Sequence, residues 1–354
     1  MPTASPLVLA HRGASGRLPE HTLAAYELAA RQGADYLELD LVATRDGTLV
    51  ARHENDISGT TDVAHHPALA GRRRREVVDG TPVEGVFTED LDLDELRTLR
   101  SRERLPHLRG TDRDGRWPVP TFPEIIALRA ALSEELGREL GLYVELKHPT
   151  HFSGLGLPLE ERMLADLEAA GLVSRDAPVF VQCFEPGSLR RLREELGCPL
   201  RHVLLATAHE DVPADLRAAA QPRTYAELLS PAGLETLAGV VDGVGPRKQM
   251  VLPWAPDGTL GEPTSLVGDA HAAGMVVHAW TFRAENPFLP PSLRRGRDAD
   301  AEQGAGRDED PEPAAHGDLA AEVRAHLAAG VDGIFTDHPD LVVQALREGT
   351  PEVG

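Results

Sequence analysis

Eight short apolar runs of β-type residues recur along the chain, and between nearly all of them the pattern switches to a helical period. The runs are Leu7 to His11, Tyr36 to Val42, Leu142 to Lys147, Val179 to Phe184, Arg201 to Ala206, Val240 to Val244, Met275 to Phe282 and Asp332 to Thr336. Helical patterns fill the intervals at Thr22 to Gln32, Phe122 to Gly137, Glu160 to Ala170, Gly187 to Leu196, Tyr225 to Leu229, Pro231 to Leu237, Ser265 to Ala273, Ala320 to Ala329 and Pro339 to Arg347. Strands alternating with helices define an α/β fold, and eight such units predict a closed (β/α)8 barrel, the TIM fold. An open doubly wound sheet is the alternative. It is disfavoured because no G-x-G-x-x-G turn follows the first strand.

Two segments break the rhythm. A hairpin arm, Leu49 to His53, follows the Asp46-Gly47 turn signal, and after it residues 54–120 carry several Pro and Gly and one helical pattern at Leu93 to Leu99. This segment is read as a long insertion on the barrel mouth, and its Arg72 to Arg75 run as a solvated surface. After the seventh run, residues 283–317 are rich in Pro, Gly, Arg and acidic residues, a composition like that of a disordered loop. The reading is therefore one barrel domain over residues 1–354 with two interruptions.

A formal net charge of −21 excludes nucleic acid as an expected partner, because a phosphate backbone needs clustered Lys and Arg. A negatively charged substrate would need a local cation to enter such a field. Aromatics are scarce at 4%, so the core must be built mainly from Leu, Val and Ala. Cys183 and Cys198 lack metal-type spacing and read as ordinary thiols. No run is long and apolar enough for a membrane anchor, and Met1 to Pro6 lack the pattern of a signal peptide, so a cytoplasmic protein is expected.

In a barrel of this type the active site lies at the C-terminal ends of the strands, and polar residues recur there. The first run ends in His11-Arg12, the arm in His53, the third run carries Glu145 and Lys147, the fourth Gln182, and the seventh His278 and Trp280. Glu38 and Asp40 alternate with Leu37, Leu39 and Leu41, so both carboxylates share the inner face of one strand. Such carboxylates repel one another unless a cation neutralises them, and an oxygen-only set with Glu145 suits one hard divalent ion, Ca²⁺ or Mg²⁺. His11 and His53 are the natural proton-transfer pair, and Arg12 offers a fixed fork suited to a phosphate. His21 and His278 are read as packing or rim residues. Gln182 and Trp280 are taken as further substrate contacts.

His11-Arg12-Gly13, Pro19-Glu20-His21-Thr22, Glu38-Leu39-Asp40, Thr44-Arg45-Asp46-Gly47 and His53-Glu54 follow one another in the order and spacing of the glycerophosphodiester phosphodiesterase family. The likeness continues at Tyr143-Val144-Glu145-Leu146-Lys147, at Val181-Gln182-Cys183-Phe184, and at Phe335-Thr336-Asp337-His338-Pro339-Asp340. The chain most resembles the bacterial, long-insertion branch that acts on small glycerophosphodiesters. The resemblance implies a TIM barrel with one divalent cation at Glu38, Asp40 and Glu145, catalytic histidines at His11 and His53, and phosphate contacts at Arg12 and Lys147. Glu20 matches a further active-site carboxylate, a metal or substrate-hydroxyl contact, and Glu54 stands where the family commonly has aspartate. The implied activity is hydrolysis of a small-molecule diester, such as glycerophosphocholine or glycerophosphoethanolamine, to glycerol 3-phosphate and an alcohol. A lysophospholipase D would need an apolar groove that the charged insertions do not suggest. A non-catalytic phosphoester-binding barrel is disfavoured because none of the matched positions carries an inert residue.

Overall fold

The computed structural model describes residues 5–296 and 312–349. Its strands, in chain order, are β1 (Leu7–Ala10), β2 (Tyr36–Ala43), β3 (Leu49–Ala51), β4 (Arg74–Val78), β5 (Thr81–Gly85), β6 (Gly141–Leu146), β7 (Val179–Cys183), β8 (Arg201–Ala206), β9 (Gly243–Pro246), β10 (Val276–Phe282) and β11 (Gly333–Thr336). β1 pairs with β11 on one side and β2 on the other, all parallel, which closes eight strands into a barrel. β3 is the arm, antiparallel to β2. β4 and β5 form a separate hairpin in the mouth segment.

The alternation along β2 decides both layers around it. Leu37, Leu39 and Leu41 are fully buried in the main core, while Glu38 and Asp40 point inward. Register then aligns Asp40 with Glu145 and Glu145 with Gln182, so three polar side chains stand in one row across neighbouring strands. Below that row the scarce aromatics are gathered inside the barrel. Tyr143 stacks on Phe180 at 4.8 Å and meets Phe335 edge-on at 4.9 Å. Leu9, Tyr36 and Val203 complete this floor. His278 belongs to it, with Nδ1 2.8 Å from the Tyr143 hydroxyl, in keeping with a packing role.

Helix starts follow local chemistry. Thr22 caps Leu23–Arg31 through its hydroxyl, and Thr121 with Glu124 forms a capping box on Phe122–Leu136. Several features depart from the sequence reading. The sixth barrel strand is Gly243–Pro246 rather than Val240 to Val244. The barrel is crowded there: a Cβ at Gly243 would lie 2.6 Å from Val276, and one at Gly245 would lie 2.5 Å from Leu205. Small residues rather than apolar ones mark that strand. The helix expected from Gly187 to Leu196 begins at Pro186 and passes into a π-turn over Arg191–Glu195. The mouth segment contains the β4–β5 hairpin, whose turn residues Asp79 and Gly80 have φ of 49° and 81°.

Nor is the Arg72 to Arg75 run uniformly solvated. Arg73 and Arg75 pair with Glu84 on the exposed side, while Arg74 pairs with Asp90 and lies over the Phe87 ring at 4.6 Å. Of the segment expected to be loop-like, residues 283–296 and 312–317 pack against the barrel. Ala284, Glu285, Asn286 and Leu289 are buried, and Gly317 N donates to Ala284 O at 2.8 Å. The remainder of that expectation, 297–311, lies outside the described residues. Cys183 and Cys198 are free and buried. Among the described residues no helix is long and apolar enough to cross a membrane.

Candidate active site

A cavity of about 360 Å³ opens at the C-terminal ends of the barrel strands. His11, Arg12, Glu38, His53, Glu145, Lys147, Gln182 and Trp280 all line it. Those residues come from separate segments of the chain, and the barrel with its arm brings them together. Glu54, Arg104, Phe184, Thr207 and Arg283 line it as well and were not anticipated as wall residues.

The turn after β1 shows why His-Arg-Gly is needed. Arg12 and Gly13 have φ of 59° and 83°. A Cβ on Gly13 would lie 2.6 Å from the Ala25 carbonyl carbon, so only glycine lets the turn close on the first helix. Closing it aims the Arg12 amide at Glu38 Oε2, 2.8 Å away. The Arg12 side chain donates to Glu20 at 2.9 Å and lies 3.3 Å from Asp40.

Glu38, Asp40 and Glu145 offer oxygens all within 4.8 Å of one another, and all three residues are buried. Burial and the neighbouring Asp40 and Glu145 charges push Glu38 well above the usual carboxylate range. Burial also raises Glu145, to about 8, although Lys147 Nζ is 2.9 Å away. Burial would raise Asp40 too, but Lys147, the His21 hydrogen bond and Arg12 together hold it well below the usual range. Two of the three carboxylates thus favour holding a proton even with Lys147 and Arg12 beside the cluster. An oxygen-only, buried set of this kind fits a hard divalent cation.

The two imidazoles reach the cavity from different elements. His11 Nδ1 lies 2.6 Å from Asp337 Oδ1. Despite its burial, Asp337 is held well below the usual range by Arg283 and Arg109, which approach its other oxygen at 2.7 Å and 2.6 Å. An anionic carboxylate only accepts, so His11 Nδ1 carries the hydrogen and Nε2 is left for chemistry. His53 is arranged alike, its Nδ1 2.9 Å from Glu54 Oε1. Burial and then the Arg12 charge push both histidines down to about 3, so each ring is neutral near pH 7.

Several expected contacts are placed differently. Glu20 does not line the cavity; its Oε2 accepts from Arg12 and from Arg104 at 2.9 Å and 2.8 Å, and so anchors two arginines. Gln182 donates to Glu38 Oε1 at 3.0 Å, bracing a carboxylate. Trp280 gives its N–H to Gly245 O at 2.7 Å, so what it offers the cavity is its ring, set edge-on to Phe184. His21 is no rim residue. It is fully buried, with Nε2 2.9 Å from Asp40 and Nδ1 2.7 Å from the Tyr26 hydroxyl, and it orients Asp40. Asp337, Arg109, Arg283 and Arg104 were missed by sequence reasoning. Only Asp337 had a usable signal, its place in the Thr336-Asp337-His338 segment ending the last strand.

Known proteins match over nearly this whole length. The glycerophosphoryl diester phosphodiesterase family profile matches residues 11–341. The chain is 34% identical over 301 residues to a glycerophosphodiester phosphodiesterase of Arabidopsis thaliana, covering 81% of this chain and 77% of that one. It is 28% identical over 362 residues to a glycerophosphodiester phosphodiesterase of Haemophilus influenzae, covering 96% and 90%. The fold is shared with a Silicibacter pomeroyi structure at a TM-score of 0.65 and 20% identity, over 98% and 95% of the two chains. It is also shared with an Oleispira antarctica phosphodiesterase solved with its product sn-glycerol-3-phosphate, at a TM-score of 0.59 and 20% identity, over 97% of each chain.

Proposed function

The chain belongs to the glycerophosphoryl diester phosphodiesterase family, and we propose that it hydrolyses small glycerophosphodiesters, such as glycerophosphocholine and glycerophosphoethanolamine, to glycerol 3-phosphate and an alcohol. The observation that carries this reading is that two imidazoles, each with Nδ1 on a carboxylate, border a cavity also lined by Glu38 and Glu145, whose oxygens converge with that of Asp40.

Glu38, Asp40 and Glu145 would hold one Mg²⁺ or Ca²⁺, which polarises a phosphoryl oxygen when bound. Arg12 and Lys147 bind non-bridging oxygens of the monoanionic diester, and their fixed charge opposes the negative charge that grows at phosphorus. One histidine takes a proton at Nε2 from the incoming hydroxyl, either of water directly or of glycerol C2, in which case water then opens the resulting cyclic phosphate to glycerol 3-phosphate. The other delivers a proton to the departing alkoxide as its P–O bond breaks. Both rings begin depressed because Arg12 and burial disfavour a further cation. A bound diester brings negative charge beside them and makes protonation of one ring easier. The rim carries Glu54, Arg104 and Arg283, which favours a polar head group over an acyl chain.

The test is release of glycerol 3-phosphate from a panel of diesters and a lysolipid, with Mg²⁺ and Ca²⁺ supplied in turn. No release from any small diester, or near-native turnover in both His11→Ala and His53→Ala, would overturn the reading.

A further inference from the structure

His53 is tied to more than Glu54. His148 follows Lys147 in a left-handed conformation, φ 51°, and its side chain is 15% exposed. Its Nε2 lies 3.0 Å from Glu54 Oε2, and its Nδ1 lies 2.6 Å from Asp79 Oδ2. The other Glu54 oxygen is the one beside His53. An unbroken line of four side chains therefore runs from the cavity to the β4–β5 turn. Carboxylates accept only, so both His148 nitrogens donate and the ring is an imidazolium. The two hydrogen bonds outweigh the burial that opposes its charge and raise it to about 9.

We propose that His148 and Asp79 are positioning residues for diester hydrolysis: His148 pins Glu54 so that Glu54 fixes the ring plane and tautomer of His53, and Asp79 holds His148 in place from the mouth hairpin. The proposal rests on the role given to His53 above. The Asp79 side chain is not what holds the hairpin. Its backbone carbonyl already accepts from Arg217, and Arg74 anchors the strand through Asp90 and Phe87. Asp79 instead spends its carboxylate on a ring leading to the cavity. Glutamate at position 54 has the reach to span two imidazoles with its two oxygens.

A charge consequence follows. His53 is faced by Glu54 at its own strand end, Arg12 after β1, Lys147 after β6, Asp40 on β2 and Glu20 in the first turn region. The imidazolium of His148 draws on the same carboxylate that would otherwise favour a protonated His53. Removing that cation leaves Glu54 acting fully on His53, and the His53 proton is held more tightly. Whichever limb of the rate–pH curve His53 governs then moves upward.

The experiment compares the full-length wild type with His148→Gln, Asp79→Asn and His53→Ala. It measures kcat and KM against pH with glycerophosphocholine and Mg²⁺, and titrates the labelled histidines by NMR without added metal. His148→Gln is expected to lower kcat about tenfold with KM within about twofold, and to raise the His53-linked limb by about one pH unit, the size of a unit-charge effect at an effective dielectric of roughly 20. Its His53 resonance should titrate at correspondingly higher pH. Asp79→Asn, at a partly exposed turn, should shift both in the same direction by less. If His53→Ala is inactive while both other variants superimpose on the wild type in rate profile and His53 titration, the line of contacts has no role and the proposal falls alone. If His53→Ala keeps near-native turnover, the role of His53 falls first and the proposal with it.

Discussion

Asp337→Asn is the most informative single change. The carboxylate is fully buried and takes three partners: the neutral His11 ring at 2.6 Å and the guanidiniums of Arg109 at 2.6 Å and Arg283 at 2.7 Å. Asparagine keeps the shape and removes the charge, so the Arg283 guanidinium loses this anion and Arg109 is left with Glu285 at 2.6 Å. Breaking a buried pair from one side costs roughly 3–5 kcal/mol. At roughly 2 °C per kcal/mol, toward the low end for larger domains, Tm should fall by about 6–10 °C. The cost depends on pH in a definite direction. Asp337 is depressed in the folded state, so its contribution is fully present above its unfolded pKa of about 3.9 and disappears as pH falls toward the folded value. The Tm gap between variant and wild type should therefore be constant from pH 5 to neutrality and narrow in more acid solution. Catalysis suffers separately. Asp337 opposes the burial that depresses His11, and an amide can hold either tautomer of the ring. A loss on the order of 10² to 10⁴ in kcat is expected. Calorimetry against pH and single-substrate kinetics read the two effects apart. A variant with unchanged Tm, or one destabilised yet fully active, would refute the reasoning.

Three further outcomes follow from the same geometry. Chelation should abolish diester hydrolysis, and Glu38→Gln should raise the Mg²⁺ or Ca²⁺ concentration needed for half-restoration; activity indifferent to chelator would remove the cation from the reaction. His21→Gln, which replaces the ring bracing Asp40, should weaken cation binding by about 10–100-fold in a calorimetric titration while the protein stays folded. Gly13→Ala places a Cβ 2.6 Å from Ala25 backbone at a φ of 83°, and should cost roughly 1–3 kcal/mol in denaturant unfolding while also displacing Arg12.

How far the site was legible depended on how local its signals were. Glu38 and Asp40 share a face because strand side chains alternate, and that is a two-residue rule. Gly13 and the Arg12 turn are set by contacts with the adjoining helix. The β4–β5 hairpin carries its own local cue, Asp79-Gly80 between β-type residues, but the Pro and Gly content of the surrounding segment masks it. The residues around 283–296 misled in the opposite way: a composition typical of loops belongs to a segment with several buried side chains.

The sequence by itself determined the eight-fold alternation, the inward carboxylates and the imidazoles at strand ends, because each follows from periodicity over a few residues. Only the tertiary structure decided what orients those groups. Asp337 reaches His11 from 326 positions away because β11 closes against β1. Arg109 acquires its part by landing beside Asp337, His148 by landing beside Glu54 and Asp79 by landing beside His148, and charges on loops obey no period. A barrel makes its site from the ends of separate strands, so the reacting groups repeat along the chain, while the groups that hold them are chosen by closure.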